Sequence, residues 1–175
     1  MGQERLRLLV INALAMALAL VLPPAFHAVG LGSRFLPLLL PLAVNGFLSP
    51  ARWAALTGAA APLVSALATG MPPLYPPLAL ILSVEGMVLG GLAAALYRAS
   101  GRRLWPALVA AIVCGRAVAL VLSWLLAKPL GLPPAVTGAA LVLQGLPGVA
   151  LQLAVVPLVV RTLEARPSIL FGHGD

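Results

Sequence analysis

Two ionisable residues lie inside apolar runs of this chain, Glu85 within residues 74–97 and Arg116 within residues 104–127. A lone charge near the centre of a bilayer costs about 2.5–3.5 kcal/mol on insertion scales. Helical rise puts Glu85 about 16 Å along its run and Arg116 about 18 Å along the next. Consecutive spans run in opposite directions, so both side chains come to rest near the same depth. They should face the interior of a bundle, where they can pair with each other. One reading is an ion pair that only fixes helix packing. The other, which we favour because intramembrane ionisable groups mark substrate and ion pathways, is a polar cavity that receives a ligand.

The neutral polar residues extend that expectation. Ser65 and Thr69 fall in one half of the third apolar run, Ser83 precedes Glu85, Ser123 lies late in the fifth run, and Gln144 enters the sixth, followed by Gln152. Asn45 lies near the inner end of the second. Most of the set leans to one side, which points to a pocket opening to the exterior. Two outer loops add His27 and Arg34, and the segment Thr69 to Pro77, with Met71, Tyr75 and four prolines. Gly70 permits a tight turn there and the prolines stiffen the rest of the segment, as suits the edge of a lid.

The chain carries no G-x-x-x-x-G-K-[ST] phosphate loop, no H-E-x-x-H and no G-x-S-x-G elbow. Glu85 has no second intramembrane carboxylate for paired acid–base work. The two histidines, His27 and His173, fall on opposite sides of the membrane in the topology that the basic residues set, and cannot share a metal. No enzymatic activity, cofactor or metal is expected.

These residues must be positioned by membrane helices. Of the 175 residues, 62% are apolar and 9% charged, and mean hydropathy is +1.09. Soluble domains carry about 25% charged residues, so a soluble enzyme and a disordered chain are both excluded. A helix needs about 20 apolar residues to cross the hydrocarbon core. Six spans are expected, at residues 8–26, 35–48, 53–69, 74–97, 104–127 and 136–160, forming a single all-α transmembrane domain over 1–175. Pro, Gly and charge punctuate them. With the N-terminus inside, Arg5, Arg7, Arg52, Arg98, Arg102, Arg103, Arg161 and Arg166 are cytoplasmic, and only Arg34 and Lys128 are outside. That bias places both termini in the cytoplasm. It also accounts for the net charge of +7 without nucleic acid. The first apolar run is longer than the roughly 7–15 residues of a signal-peptide core, so cleavage is not expected. The single cysteine, Cys114, reads as a packing residue. In the first helix, Ala13 with Ala17 and Ala15 with Ala19 form small-xxx-small pairs, flat enough for another helix to approach.

The chain resembles the substrate-binding S components of energy-coupling factor (ECF) transporters, from its first helix to about Val160. The resemblance rests on Phe35-Leu36-Pro37-Leu38-Leu39-Leu40-Pro41-Leu42, Gly46, Pro50, Gly58, Pro62-Leu63-Val64-Ser65, Thr69-Gly70-Met71-Pro72-Pro73 and Glu85. It is similar to a subgroup whose second span reads roughly L-P-M-H-x-P, with Leu38 and Leu39 standing where that subgroup has Met and His. The resemblance implies a six-helix protein of the cell membrane with both termini inside. Such a protein captures a vitamin, vitamin precursor or other micronutrient from outside, and works with a transmembrane T component and two cytoplasmic ATPases. It also implies that Ala13 and Ala17, or Ala15 and Ala19 in the other register, dock the T component. On this reading Glu85 accepts hydrogen bonds from the ligand, Arg116 orients Glu85 or meets an anionic group, and Gln144, Ser65 and Thr69 supply neutral contacts. The loops around Met71 and Tyr75 and around His27 and Arg34 close the pocket. Three Trp, two Tyr and four Phe make a large stacked ligand a poor fit. A stand-alone proton-coupled transporter using Glu85, and a purely structural membrane protein, are the competing readings.

Overall fold

The structure, a computed structural model, describes residues 2–28, 30, 35–133 and 137–165. Among them are seven helices: α1 Gly2–Ala28, α2 Leu39–Leu48, α3 Ala51–Thr69, α4 Leu78–Ala99, α5 Leu104–Leu130, α6 Gly138–Gln144 and α7 Leu146–Ala165. Four of these, α1, α4, α5 and α7, are long and apolar enough to cross a membrane. The alanine-rich α3 has comparable length, whereas α2, with 10 residues, spans only about 15 Å. Arg34, expected at the pocket mouth, lies outside the described residues.

Three expected spans change their bounds for identifiable reasons. The second does not start at Phe35: α2 begins at Leu39, after a turn closed by the Leu39 N–H on the Leu36 carbonyl at 3.0 Å. The fourth starts at Leu78 rather than Leu74, because Pro72, Pro73, Pro76 and Pro77 cannot donate to a helical ladder. The sixth is two helices. Pro147 has no N–H for the Leu143 carbonyl, and the Gly145 N–H turns back to Val142 O at 3.1 Å. Ser123 of α5 holds the new start, accepting from the Gly138 N–H at 3.1 Å.

The bundle is organised around α4, which packs against α2, α3 and α5, while α1 lies on α2 and α3 and α7 on α2 and α5. Its tightest crossing joins Ala54 and Gly58 of α3 to Gly86 and Gly90 of α4. A Cβ on Gly58 would strike the Gly86 backbone, and one on Gly86 would lie 2.6 Å from the Gly58 carbonyl. That carbonyl is the one Pro62, four residues on, cannot bond. Small residues let these two backbones touch, which is how helices associate where lipid supplies no hydrophobic drive. The dry core then fills with Leu39, Leu42, Leu89, Leu108, Val156 and Val160, all nearly inaccessible.

The outward faces are as apolar as the inside. Leu67, Val113 and Leu158 are each more than half exposed, as suits side chains that meet lipid. Trp105 and Trp124 stand exposed on α5, about 28 Å apart along its axis. That separation is close to the roughly 30 Å hydrocarbon core, at whose edges indole rings concentrate.

Two polar clusters lie at the end of the bundle that carries the N-terminus. At one, Tyr97 and Arg102 both donate to Glu164 at 2.6 Å, tying the α4–α5 turn to α7. This hydrogen bond holds the Arg102 guanidinium above its usual pKa, so it remains charged. At the other, Asn12 Nδ2 donates to Ser49 Oγ (3.1 Å), Ser49 Oγ donates to Asn45 Oδ1 (2.8 Å), and Asn45 Nδ2 donates to Asn12 Oδ1 (2.9 Å). This ring is buried between α1, α2 and α3. Interhelical hydrogen bonds of this kind contribute on average about 0.6 kcal/mol each in a membrane.

Gly58→Ala should lower the thermal midpoint in detergent and cost about 1–3 kcal/mol, because the only relief from the clash is a wider α3–α4 spacing. Ala substitution at Gly2, exposed at the start of α1 where a Cβ would meet nothing within 4 Å, provides the comparison.

Candidate functional site

A cavity of about 400 Å³ lies in the half of the bundle away from the N-terminus, beside the place where α2 stops short. Its wall is assembled from four helices and two connections: Pro23 and His27 of α1, the segment Leu36–Leu39, Gly70–Pro73, Ile81 and Glu85 of α4, Arg116 of α5, and Leu141 and Gln144 of α6. A full-length second helix would have filled this volume. Pro37 and the positive φ of 48° at Leu36 keep the chain irregular there and leave the space.

Glu85 and Arg116 form the polar floor. Both are buried. The Nε and Nη2 of Arg116 donate to one carboxylate oxygen, Oε1 of Glu85. Oε2 of Glu85 is buried and has no hydrogen-bond partner among the described residues. The pair is neutral overall, with one carboxylate oxygen and three guanidinium N–H groups unused within it. Gly115, across the α4–α5 contact from Glu85, brings the two helices close: a Cβ there would meet the Glu85 side chain at 3.4 Å.

Gly145 was not singled out from the sequence, yet it sets this geometry. A Cβ at Gly145 would lie 2.7 Å from Nη1 of Arg116 and 2.8 Å from the Leu36 side chain. One turn on, a Cβ at Gly148 would lie 2.5 Å from the Phe35 carbonyl. The break between α6 and α7 therefore seats the Phe35–Leu36 segment and presses backbone against the guanidinium. The available signal was Gly145-Leu146-Pro147, a breaker pair inside an apolar run.

The other expected residues divide into two groups. His27, Met71 and Gln144 join Glu85 and Arg116 on the cavity wall. Ser65, Thr69 and Tyr75 do not line it, and they act on the connection between α3 and α4. Ser65 donates to the Met71 carbonyl at 2.6 Å. Thr69 donates to the Ser65 carbonyl at 2.8 Å and accepts from the Met71 N–H at 3.2 Å. Tyr75 reaches across to donate to the Leu130 carbonyl at 2.9 Å. Gly70, at φ 74°, ends α3 so that this turn can form. Asn45 is not at the cavity at all. Its amide is used within the ring with Asn12 and Ser49, at the opposite end of the bundle, because α2 runs away from the cavity. Leu38 and Leu39 both line the cavity, so the departure from the L-P-M-H-x-P pattern falls on the wall itself and makes it apolar. On α1, Ala13 and Ala17 are exposed while Ala15 and Ala19 are buried inside the chain. Among the described residues no group of His, Cys, Asp and Glu is arranged to hold a metal.

Removing one member of the buried pair should be far worse than removing both. Glu85→Leu or Arg116→Leu alone should cost about 3–5 kcal/mol, and the double replacement should recover most of it. Thermal unfolding of the three variants in detergent measures this.

A protein-family comparison matches residues 7–160 to the family described as ECF transporter, substrate-specific component. No curated protein and no solved structure shows a significant match.

Proposed function

The chain belongs to the substrate-specific components of ECF transporters, and on that premise we propose that its cavity captures a small, uncharged, vitamin-like molecule from outside the cell. Members of this family are multi-pass subunits of the cell membrane that bind a small-molecule substrate and are not enzymes. The observation that carries the reading is Glu85 on the cavity wall, whose buried Oε2 has no hydrogen-bond partner among the described residues. An N–H or O–H of the ligand satisfies it. Two of the five N–H donors of Arg116 are spent on Oε1, so it orients the carboxylate. Because the pair already cancels, a charged ligand would add an uncompensated charge at membrane depth, at a cost of about 2.5–3.5 kcal/mol. The apolar wall of Leu38, Leu39 and Ile81 excludes water and gives shape selection. The volume lies at the small end of ligand pockets, which suits a vitamin or vitamin precursor better than a flavin-sized molecule.

Access is from the end bearing His27 and the Gly70–Pro73 turn. The positive-inside bias makes this the outer face, with six crossings and both termini cytoplasmic. The proline-rich turn, anchored by Ser65, Thr69 and Tyr75, forms a stiff rim that loses little entropy on closing. The chain carries no phosphate loop of its own, so ATP is used by two partner ATPases acting through a T component. Of the two alanine registers, Ala13 and Ala17 supply the docking face, since Ala15 and Ala19 are already covered from within.

The protein purified in mild detergent should release, on denaturation, a stoichiometric small neutral compound detected by mass spectrometry. The Glu85→Leu, Arg116→Leu double variant, folded but without the acceptor, should release none. An empty wild-type protein that also binds none of a panel of vitamins and precursors would leave the pair a purely structural device and end this reading.

A further inference from the structure

Asn12 is the polar residue that α1 buries at a helix contact, and its side chain is saturated. An amide side chain has two N–H donors and an oxygen that accepts twice. Nδ2 of Asn12 donates to the Leu8 carbonyl at 2.7 Å and to Ser49 Oγ at 3.1 Å. Oδ1 accepts from Asn45 Nδ2 at 2.9 Å and from Thr57 Oγ1 at 2.7 Å. Asn12, Asn45, Ser49 and Thr57 are all buried. The ring therefore closes between three helices with every hydrogen-bonding position of Asn12 filled.

The rest of α1 specifies its rotation poorly. Its middle reads Ala13-Leu14-Ala15-Met16-Ala17-Leu18-Ala19, in which alternating Ala and Leu present similar surfaces all round. Rotating such a helix exchanges one alanine stripe for another with little change in packing. The ring does not tolerate that rotation, since turning α1 would break its three bonds to Ser49, Asn45 and Thr57 and strip Asn12 Oδ1, Asn45 Nδ2 and Thr57 Oγ1 of their partners, and unpaired polar groups are costly where there is no water.

We infer that Asn12 is a positioning residue that pins the rotational register of α1, turning Ala15 and Ala19 into the bundle and leaving the Ala13 and Ala17 stripe exposed to a partner. Its bearing on docking rests on the function proposed above; the register itself does not.

The test uses the full chain in detergent in a Cys114→Ala background, with Ala17→Cys or Ala19→Cys alkylated by N-ethylmaleimide and followed by mass spectrometry. With Asn12 present, the thiol at 17 reacts and the thiol at 19 is protected. Asn12→Leu should bring the ratio of the two rates towards one. Should that variant not fold, Asn12→Leu, Asn45→Leu removes both amides together and carries the same measurement. An unchanged ratio in either folded variant would overturn the inference. Thr57→Val removes one bond and leaves the ring, so it should preserve the ratio; loss of protection there would also count against the ring. Capture of the T component by the same variants separates the two claims. A lost register with unimpaired capture keeps Asn12 as the pin and removes Ala13 and Ala17 as the docking face.

Discussion

A carboxylate and a guanidinium buried at membrane depth constrain almost everything around them. Neither is tolerable alone in hydrocarbon, so α4 and α5 must bring Glu85 and Arg116 together, and the elements on either side must exclude lipid from both. Gly115 allows the α4–α5 approach. Gly145 allows the α6–α7 junction to close against the guanidinium. The pairing is also lopsided. With two of the five Arg116 donors on a single oxygen, the charge is neutralised but the hydrogen-bonding capacity of the pair is not exhausted. A pair built only for packing gains nothing from that asymmetry, whereas a binding site uses the remaining acceptor.

The second constraint is a missing half-helix. An apolar bundle has no reason to keep a cavity, because leucines fill space readily. Here the space survives because Pro37 and the turn at Leu36 delay α2 until Leu39, so the second element is regular in only one half of the bundle. The polar end of that same helix is spent on the ring with Asn12. Cavity wall and helix anchor thus occupy opposite ends of ten residues, and the division explains why Asn45 and Leu39, at the two ends of one short helix, make unrelated contacts.

Much of this was legible in the residues, and the limits have physical causes. Membrane character, the apolar runs and the burial of Glu85 and Arg116 follow from the cost of charge in lipid, which acts on composition and needs no tertiary detail; that the two pair with each other is shown by the structure. The family follows from motif residues, and the match over residues 7–160 agrees with it. Ser65, Thr69 and Tyr75, expected near the pocket, bond backbone carbonyls around the Gly70 turn and α5 and do not line the cavity. A hydroxyl at membrane depth is equally satisfied by a ligand or by a carbonyl, and the nearby Met71 and Leu130 carbonyls took them. The break at Gly145 was hidden because hydropathy is indifferent to a proline that removes one N–H.

The sequence by itself determined that the chain is a membrane protein and that Glu85 and Arg116 must be shielded from lipid, since transfer energies depend on residue type alone. Which alanine stripe of α1 is exposed, which carboxylate oxygen is left without a partner, and where the bundle leaves room were decided only by tertiary structure. Those outcomes depend on contacts between residues far apart in the chain: Asn12 with Asn45 and Thr57, Arg116 with Glu85 and Gly145, Leu36 with the α6–α7 junction. Each is a choice among local alternatives of nearly equal energy, and the packing of distant segments selects one.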